Sequence, residues 1–164
     1  MIKLCVQDIP ASVSSKSDRK LINSRVLFDL GSQTILVRDQ FTEQAGWSYT
    51  NAQYSLAGIG TNSRTIQGKL WNISLKDKEG KIHITKGYGV PSILQNDWYF
   101  PAIKEVAGQF PNVPKEVFLA QESRQLDILI GTDSLNLMPK CNFGPDCKDC
   151  KKRLCCYQSK FGLG

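Results

Sequence analysis

The stretch Val26-Leu27-Phe28-Asp29-Leu30-Gly31-Ser32-Gln33 governs how this chain reads. Arg25 to Phe28 has the length and apolar character of a buried strand, and it ends at a carboxylate. A strand that closes in a tight turn holds its first turn residue in one fixed direction, so Asp29 is presented rather than left to wander. Gly31 lets the backbone turn sharply and lets another chain come close. Asp, Gly and Ser are also common turn formers, so these eight residues alone do not separate a site from an ordinary turn.

A second stretch narrows the choice. Leu126 to Gly131 is an apolar strand closed by glycine, and Thr132 to Leu137 is expected to open a short helix that Asp133 caps near Ser134. Between the two stretches lie a strand over Gln53–Leu56 and a glycine-punctuated turn, Ala57-Gly58-Ile59-Gly60. Then come strands over Thr65–Leu75 and Lys81–Val90, joined by a turn at Lys78-Glu79-Gly80. Ile2 to Val6 alternates as a strand does, and Ser12 to Lys20 reads as a loop. Val37 to Ala45 predicts a short helix stopped by Gly46, and Pro101 to Phe110 one helical turn. Many short strands with one or two small helices predict an all-β, barrel-like domain.

Composition limits the function classes. The 164 residues suit one domain with a small appendage, and 41% hydrophobic content is ordinary for a globular chain. No apolar run approaches the roughly 18 residues that span a bilayer. No signal-peptide pattern opens the sequence, so the chain reads as intracellular and cytoplasmic. Lys140 to Gly164 holds six basic residues and two acids, a net +4 of the chain's +6. The main domain is therefore near neutral, and its charge does not announce a nucleic-acid platform; only the tail hints at one. His83, the only histidine, lies mid-strand, flanked by Ile82 and Ile84. It is expected to face solvent while the isoleucines are buried. With no nucleophile signature beside it, a Ser-His-Asp or Cys-His enzyme is not indicated. Trp47 and Trp71 read as core, and Trp98-Tyr99-Phe100 as core or hairpin edge in preference to a peptide site.

The order strand–Asp-x-Gly-Ser, glycine-rich turn, hairpin, Ile-Leu-Ile-Gly resembles the retropepsin fold. Leu27-Phe28-Asp29-x-Gly31-Ser32-Gln33, with Leu129-Ile130-Gly131-x-Asp133 downstream, is similar to the aspartic peptidase family of Bel/Pao-type retrotransposon polyproteins. Ser159-Lys160-Phe161-Gly162 also resembles the segment that follows the protease there. The resemblance implies a closed acid-protease barrel over residues 1–138, with a basic, Cys-rich, irregular tail over 139–164. It implies that Asp29 is the catalytic carboxylate on a loop with Leu30, Gly31 and Ser32. Gly58, Ile59 and Gly60 would form the flap tip over substrate, and Ile128, Leu129, Ile130 and Gly131 the supporting strand. Asp-x-Gly occurs once, so the resemblance further implies a homodimer that cleaves peptide bonds of a polyprotein, with no cofactor needed for catalysis. It also implies a fragment or relic of a longer polyprotein, working in the cytoplasm or in virus-like particles.

One residue departs from the pattern. The family has Ser or Thr between Asp and Gly, and this chain has Leu30, which cannot make the hydroxyl bond that braces two such loops. In the tail, Cys141, Cys147, Cys150 and Cys155 include one Cys-x2-Cys spacing and are candidates for structural zinc, with free thiols or disulfides as alternatives. A second functional class therefore stands beside the protease: a catalytically inactive relic acting as an interaction domain with a zinc-binding tail.

Overall fold

The computed structural model describes residues 4–12, 21–57, 62–94, 125–139, 158–159 and 162–163. The strands are β1 (Leu4–Ser12), β2 (Leu21–Asp29), β3 (Leu36–Arg38), β4 (Tyr49–Leu56), β5 (Arg64–Lys76), β6 (Ile82–Val90) and β7 (Ile128–Ile130). Helix α1 (Asp39–Ala45) follows β3, and a 3-10 turn, Thr132–Ser134, follows β7. The seven strands form one mixed sheet in the order β1-β2-β7-β3-β6-β5-β4. A single further bridge, Ala11 with Leu75, links β1 to β5. The pair β8 (Gln158–Ser159) and β9 (Gly162–Leu163) makes a separate two-stranded sheet. The fold is thus mostly β with one helix, as expected. No helix among the described residues is long and apolar enough to cross a membrane.

Burial explains why Val26-Leu27-Phe28 and Ile128-Leu129-Ile130 are unbroken apolar runs. Val26, Phe28, Ile128 and Ile130 face the main core with Ile35, Val37, Phe41, Trp47, Trp71, Ile73 and Leu75. Leu27 and Leu129 face the other way, into a second cluster with Leu126, Leu36, Ile93 and Leu94. A strand covered on both faces needs no polar alternation. Each large side chain so buried contributes about 1.5–3 kcal/mol. β5 alternates instead: Trp71, Ile73 and Leu75 are buried while Leu70, Asn72 and Ser74 are partly exposed.

Several local expectations change. β1 runs through Pro10 to Ser12 and pairs along its whole length with β2, so Ser12 belongs to a strand, not to a loop. Helix α1 starts at Asp39; Leu36-Val37-Arg38 is strand, because β6 and β7 pair with it on either side. Gly46 does stop the helix, at φ 64°, where other residues are strained. β4 is longer than expected and pairs antiparallel with β5 from Tyr49↔Trp71 to Leu56↔Arg64. Only Thr132–Ser134 of the expected Thr132–Leu137 helix is helical. Pro101 to Phe110, including the helical turn expected there, and Trp98-Tyr99-Phe100 lie outside the described residues.

The orientation of His83 is the reverse of that expected. Ile82 and Ile84 are 42% and 76% exposed, and His83 turns inward to Asp77, Nε2 to Oδ2 at 2.7 Å. Asp77 explains the inversion: it closes the β5–β6 turn by accepting the N–H groups of Glu79 (2.9 Å) and Lys81 (2.8 Å) through Oδ1. Its other oxygen then needs a partner on the inner face, and His83 supplies it. Together these bonds hold the Asp77 carboxyl below the usual carboxylate range. The His83 bond is the largest cause, and burial works against it.

Candidate active site

The strand order builds the site. β2 runs parallel to β7, with Phe28 beside Ile130, and β3 runs antiparallel to β7, with Leu36 beside Leu129. β7 therefore lies between two strands that follow each other in sequence. The loop joining those two, Leu30 to Ile35, must cross the C-terminal end of β7, where Gly131 sits. Asp29, at the last position of β2, stands at the start of that crossing.

The Asp29 carboxylate is oriented by its own loop. The Gly31 N–H donates to Asp29 Oδ1 at 2.8 Å, and the Ser32 N–H donates to the Asp29 carbonyl at 3.2 Å. Gly31 lies in the sharp turn expected of it, Asp29 to Ser32, with no positive φ. Its small size matters instead, since a Cβ there would lie 3.1 Å from Oδ1. Ser32 Oγ donates to the Thr34 carbonyl at 3.0 Å and so shapes the loop rather than facing Asp29. Leu30 projects outward and is 57% exposed.

The far side of the loop is held by the residues after β7. A Cβ on Gly131 would lie 2.5 Å from the Thr34 carbonyl oxygen, 2.6 Å from the Thr34 nitrogen and 2.9 Å from the Ser32 carbonyl oxygen. Only glycine lets the loop pass this close. Thr132 donates to the Ser32 carbonyl twice, from N at 2.9 Å and from Oγ1 at 3.1 Å. Asp133 Oδ2 accepts from Thr34 Oγ1 and from the Ile35 N–H, both at 3.2 Å. Asp133 therefore does not cap the 3-10 turn, as its position had predicted; that turn has no side-chain cap.

At the opposite end of β7, Asp127 ties three strands together. Its N–H donates to the Arg25 carbonyl at 2.9 Å, and its Oδ2 accepts the Arg25 N–H at 2.8 Å. Its carbonyl accepts the Arg38 N–H at 2.8 Å, and its Oδ1 pairs with Arg38 Nη2 at 2.6 Å. The Asp127 and Arg38 side chains are 8% and 13% exposed, so the pair is a largely buried structural clamp, and breaking it would cost at most about 3–5 kcal/mol.

Asp29, Leu30, Gly31, Ser32, Ile128, Leu129, Ile130 and Gly131 thus come together at one end of the sheet. Gly58, Ile59 and Gly60 lie outside the described residues, as do Cys141, Cys147, Cys150 and Cys155. Among the described residues, no group of three or more His, Cys, Asp or Glu side chains could hold a metal ion. Sequence reasoning missed Thr34 and Thr132 as partners of the loop. The only trace was that each strand end, β2 and β7, is followed by a short glycine-containing polar run. No family model matches the chain, and no curated protein matches it.

Proposed function

We propose that the chain is an aspartic endopeptidase of retropepsin type, acting as a homodimer on peptide bonds of a polyprotein. One observation carries the reading: a lone Asp-x-Gly carboxylate is set on a loop that crosses the end of a buried strand. That loop is braced from the same chain at Gly131, Thr132 and Asp133. The closed barrel of that fold class belongs to the proposal; the described sheet is unclosed, and β1 meets β5 at one bridge, Ala11↔Leu75. The single site supplies one carboxyl, and the chemistry needs two, so a second copy on a two-fold axis would supply the other.

In such a dimer the two carboxyls cannot both ionise and share one proton, as in aspartic proteases generally. The ionised Asp29 accepts a proton from water as the water attacks the scissile carbonyl, and the protonated partner donates to the carbonyl oxygen. The Gly31 N–H, bonded to Oδ1 at 2.8 Å, restrains the rotation of the carboxylate at the start of the loop. No metal takes part in these steps.

The competing reading, an inactive relic that serves as an interaction domain with a zinc-binding tail, draws on Leu30, whose exposed side chain offers no hydroxyl. A peptide-cleavage assay at mildly acid pH separates the two. Wild type should cleave, a pepstatin-like statine should block it and a chelator should not. Asp29→Asn keeps the shape but cannot ionise or share a proton, so it should abolish cleavage and leave the fold intact. Cleavage that survives Asp29→Asn, or that stops with the chelator, overturns the assignment.

A further inference from the structure

We infer that Asp133 is a positioning residue for the reaction, fixing the loop that carries Asp29 through a single carboxylate oxygen. The inference rests on the reading of Asp29 as the catalytic carboxylate. The loop is anchored at its start by β2 and by the Gly31 N–H to Asp29 Oδ1, at 2.8 Å. Its middle is anchored at the Ser32 carbonyl by Thr132. Its last two residues before β3, Thr34 and Ile35, are anchored by side-chain Oγ1–H and backbone N–H donors that converge on Asp133 Oδ2.

The convergence is specific. The carboxylate lies in a turn that leaves its own helical N–H groups uncapped and reaches across to another segment. Asp133 is exposed, and the bonds its carboxylate makes are to these two donors. A charged acceptor bonded to two donors holds both more firmly than a neutral one would. Thr34 is also held from the other direction, its carbonyl accepting from Ser32 Oγ at 3.0 Å. Releasing Asp133 therefore removes the side-chain anchor of Thr34 and of the Ile35 amide, while Ile35 stays packed in the core with its carbonyl bonded to the Tyr88 N–H at 3.0 Å, so the stretch between Ser32 and Ile35 loosens. Small errors in the placement of a reacting group are paid in kcat more than in binding.

The test separates positioning from folding. Asp133→Ala removes the acceptor. It should lower kcat about tenfold or more, with KM within about twofold. Exchange of the Ile35 amide, read by NMR, should quicken by about tenfold or more. Asp133→Asn keeps an oxygen that accepts both donors and should restore kcat and Ile35 protection to within about threefold of wild type. Thr34→Val removes one donor and should fall between them. An Asp133→Ala chain with wild-type kcat or wild-type Ile35 exchange overturns the inference. So does an Asp133→Asn chain as impaired as Asp133→Ala. If the wild-type chain does not cleave peptide at all, the protease reading fails, and the Ile35 exchange still decides whether Asp133 braces the loop.

Discussion

Replacing Gly131 by alanine tests the geometry of the site most directly. The added Cβ would meet the Thr34 oxygen at 2.5 Å, the Thr34 nitrogen at 2.6 Å and the Ser32 oxygen at 2.9 Å, all backbone atoms. Backbone cannot rotate out of the way as a flexible side chain can. Restoring ordinary contact of about 3.5 Å requires the loop to move by about 1 Å. Forcing a methyl into so tight a site costs about 1–3 kcal/mol. For a chain of this size that lowers Tm by roughly 2–12 °C. A displacement of about 1 Å at a reacting group costs about 10²-fold in rate. The expected outcome is therefore a modest loss in urea midpoint and, on the proposed protease reading, about a hundredfold loss in peptide cleavage. Gly46→Ala provides the control. Its Cβ would meet nothing within 4 Å, but φ is 64°, so about 1–2 kcal/mol of stability is lost and the loop is untouched. Its cleavage rate per folded molecule should equal that of wild type. A Gly131→Ala chain with wild-type stability and wild-type cleavage would refute the packing argument.

Leu30→Ser restores a hydroxyl at the exposed position beside Asp29, so it should raise dimer affinity or peptide cleavage, read by sedimentation across a concentration series alongside the activity assay. If neither changes, the missing hydroxyl does not limit the proposed activity. His83→Gln addresses the β5–β6 turn. The Asp77 carboxyl is held low in the folded chain, first by His83. A lowered pKa stabilises the fold above the unfolded value of about 3.9, and that contribution disappears as pH falls through the folded value. The stability gap between wild type and His83→Gln should thus be open at about pH 6 and shrink below about pH 4. A gap that stays constant down to about pH 2 would show that Asp77 is not the group responsible.

How much of this was legible in the sequence depended on whether a signal was local. The long strands β5 and β6 and the turn between them follow from alternation and from Lys78-Glu79-Gly80, which is information within a few residues. Trp47 and Trp71 were legible as core because large aromatics between strand signals have nowhere else to go. β3 was not legible. Three residues cannot express a period, and only pairing with β6 and β7 makes Leu36-Val37-Arg38 a strand rather than the first turn of α1. His83 shows a different limit. The alternation was read with the correct period and the wrong face, because polarity does not reveal that Asp77 needs a partner on the inner side. In the site, Asp29 and Gly31 were visible as a motif, whereas Thr34 and Thr132 act on groups about a hundred positions away along the chain. Their roles exist only once β7 is inserted between β2 and β3.

That insertion bears on what dimerisation would have to accomplish. Every brace on the loop described above comes from the same chain: Gly31 to Asp29, Thr132 to Ser32, and Asp133 to Thr34 and Ile35. The clamp at the other end of β7, through Asp127, Arg25 and Arg38, is likewise internal. On the homodimer reading, these bonds would hold the loop in each chain before a second copy docks. Association then spends its free energy on lost translational and rotational freedom and not on ordering the loop. On the homodimer reading, the feature that separates an efficient enzyme from a weak one is then the contact between two loops, where Leu30 stands outermost. Two leucines brought together on an axis bury apolar surface without direction, whereas a hydroxyl pair fixes an angle through hydrogen bonds. Leu30 would therefore act on the alignment of the two carboxylates more than on the existence of the dimer.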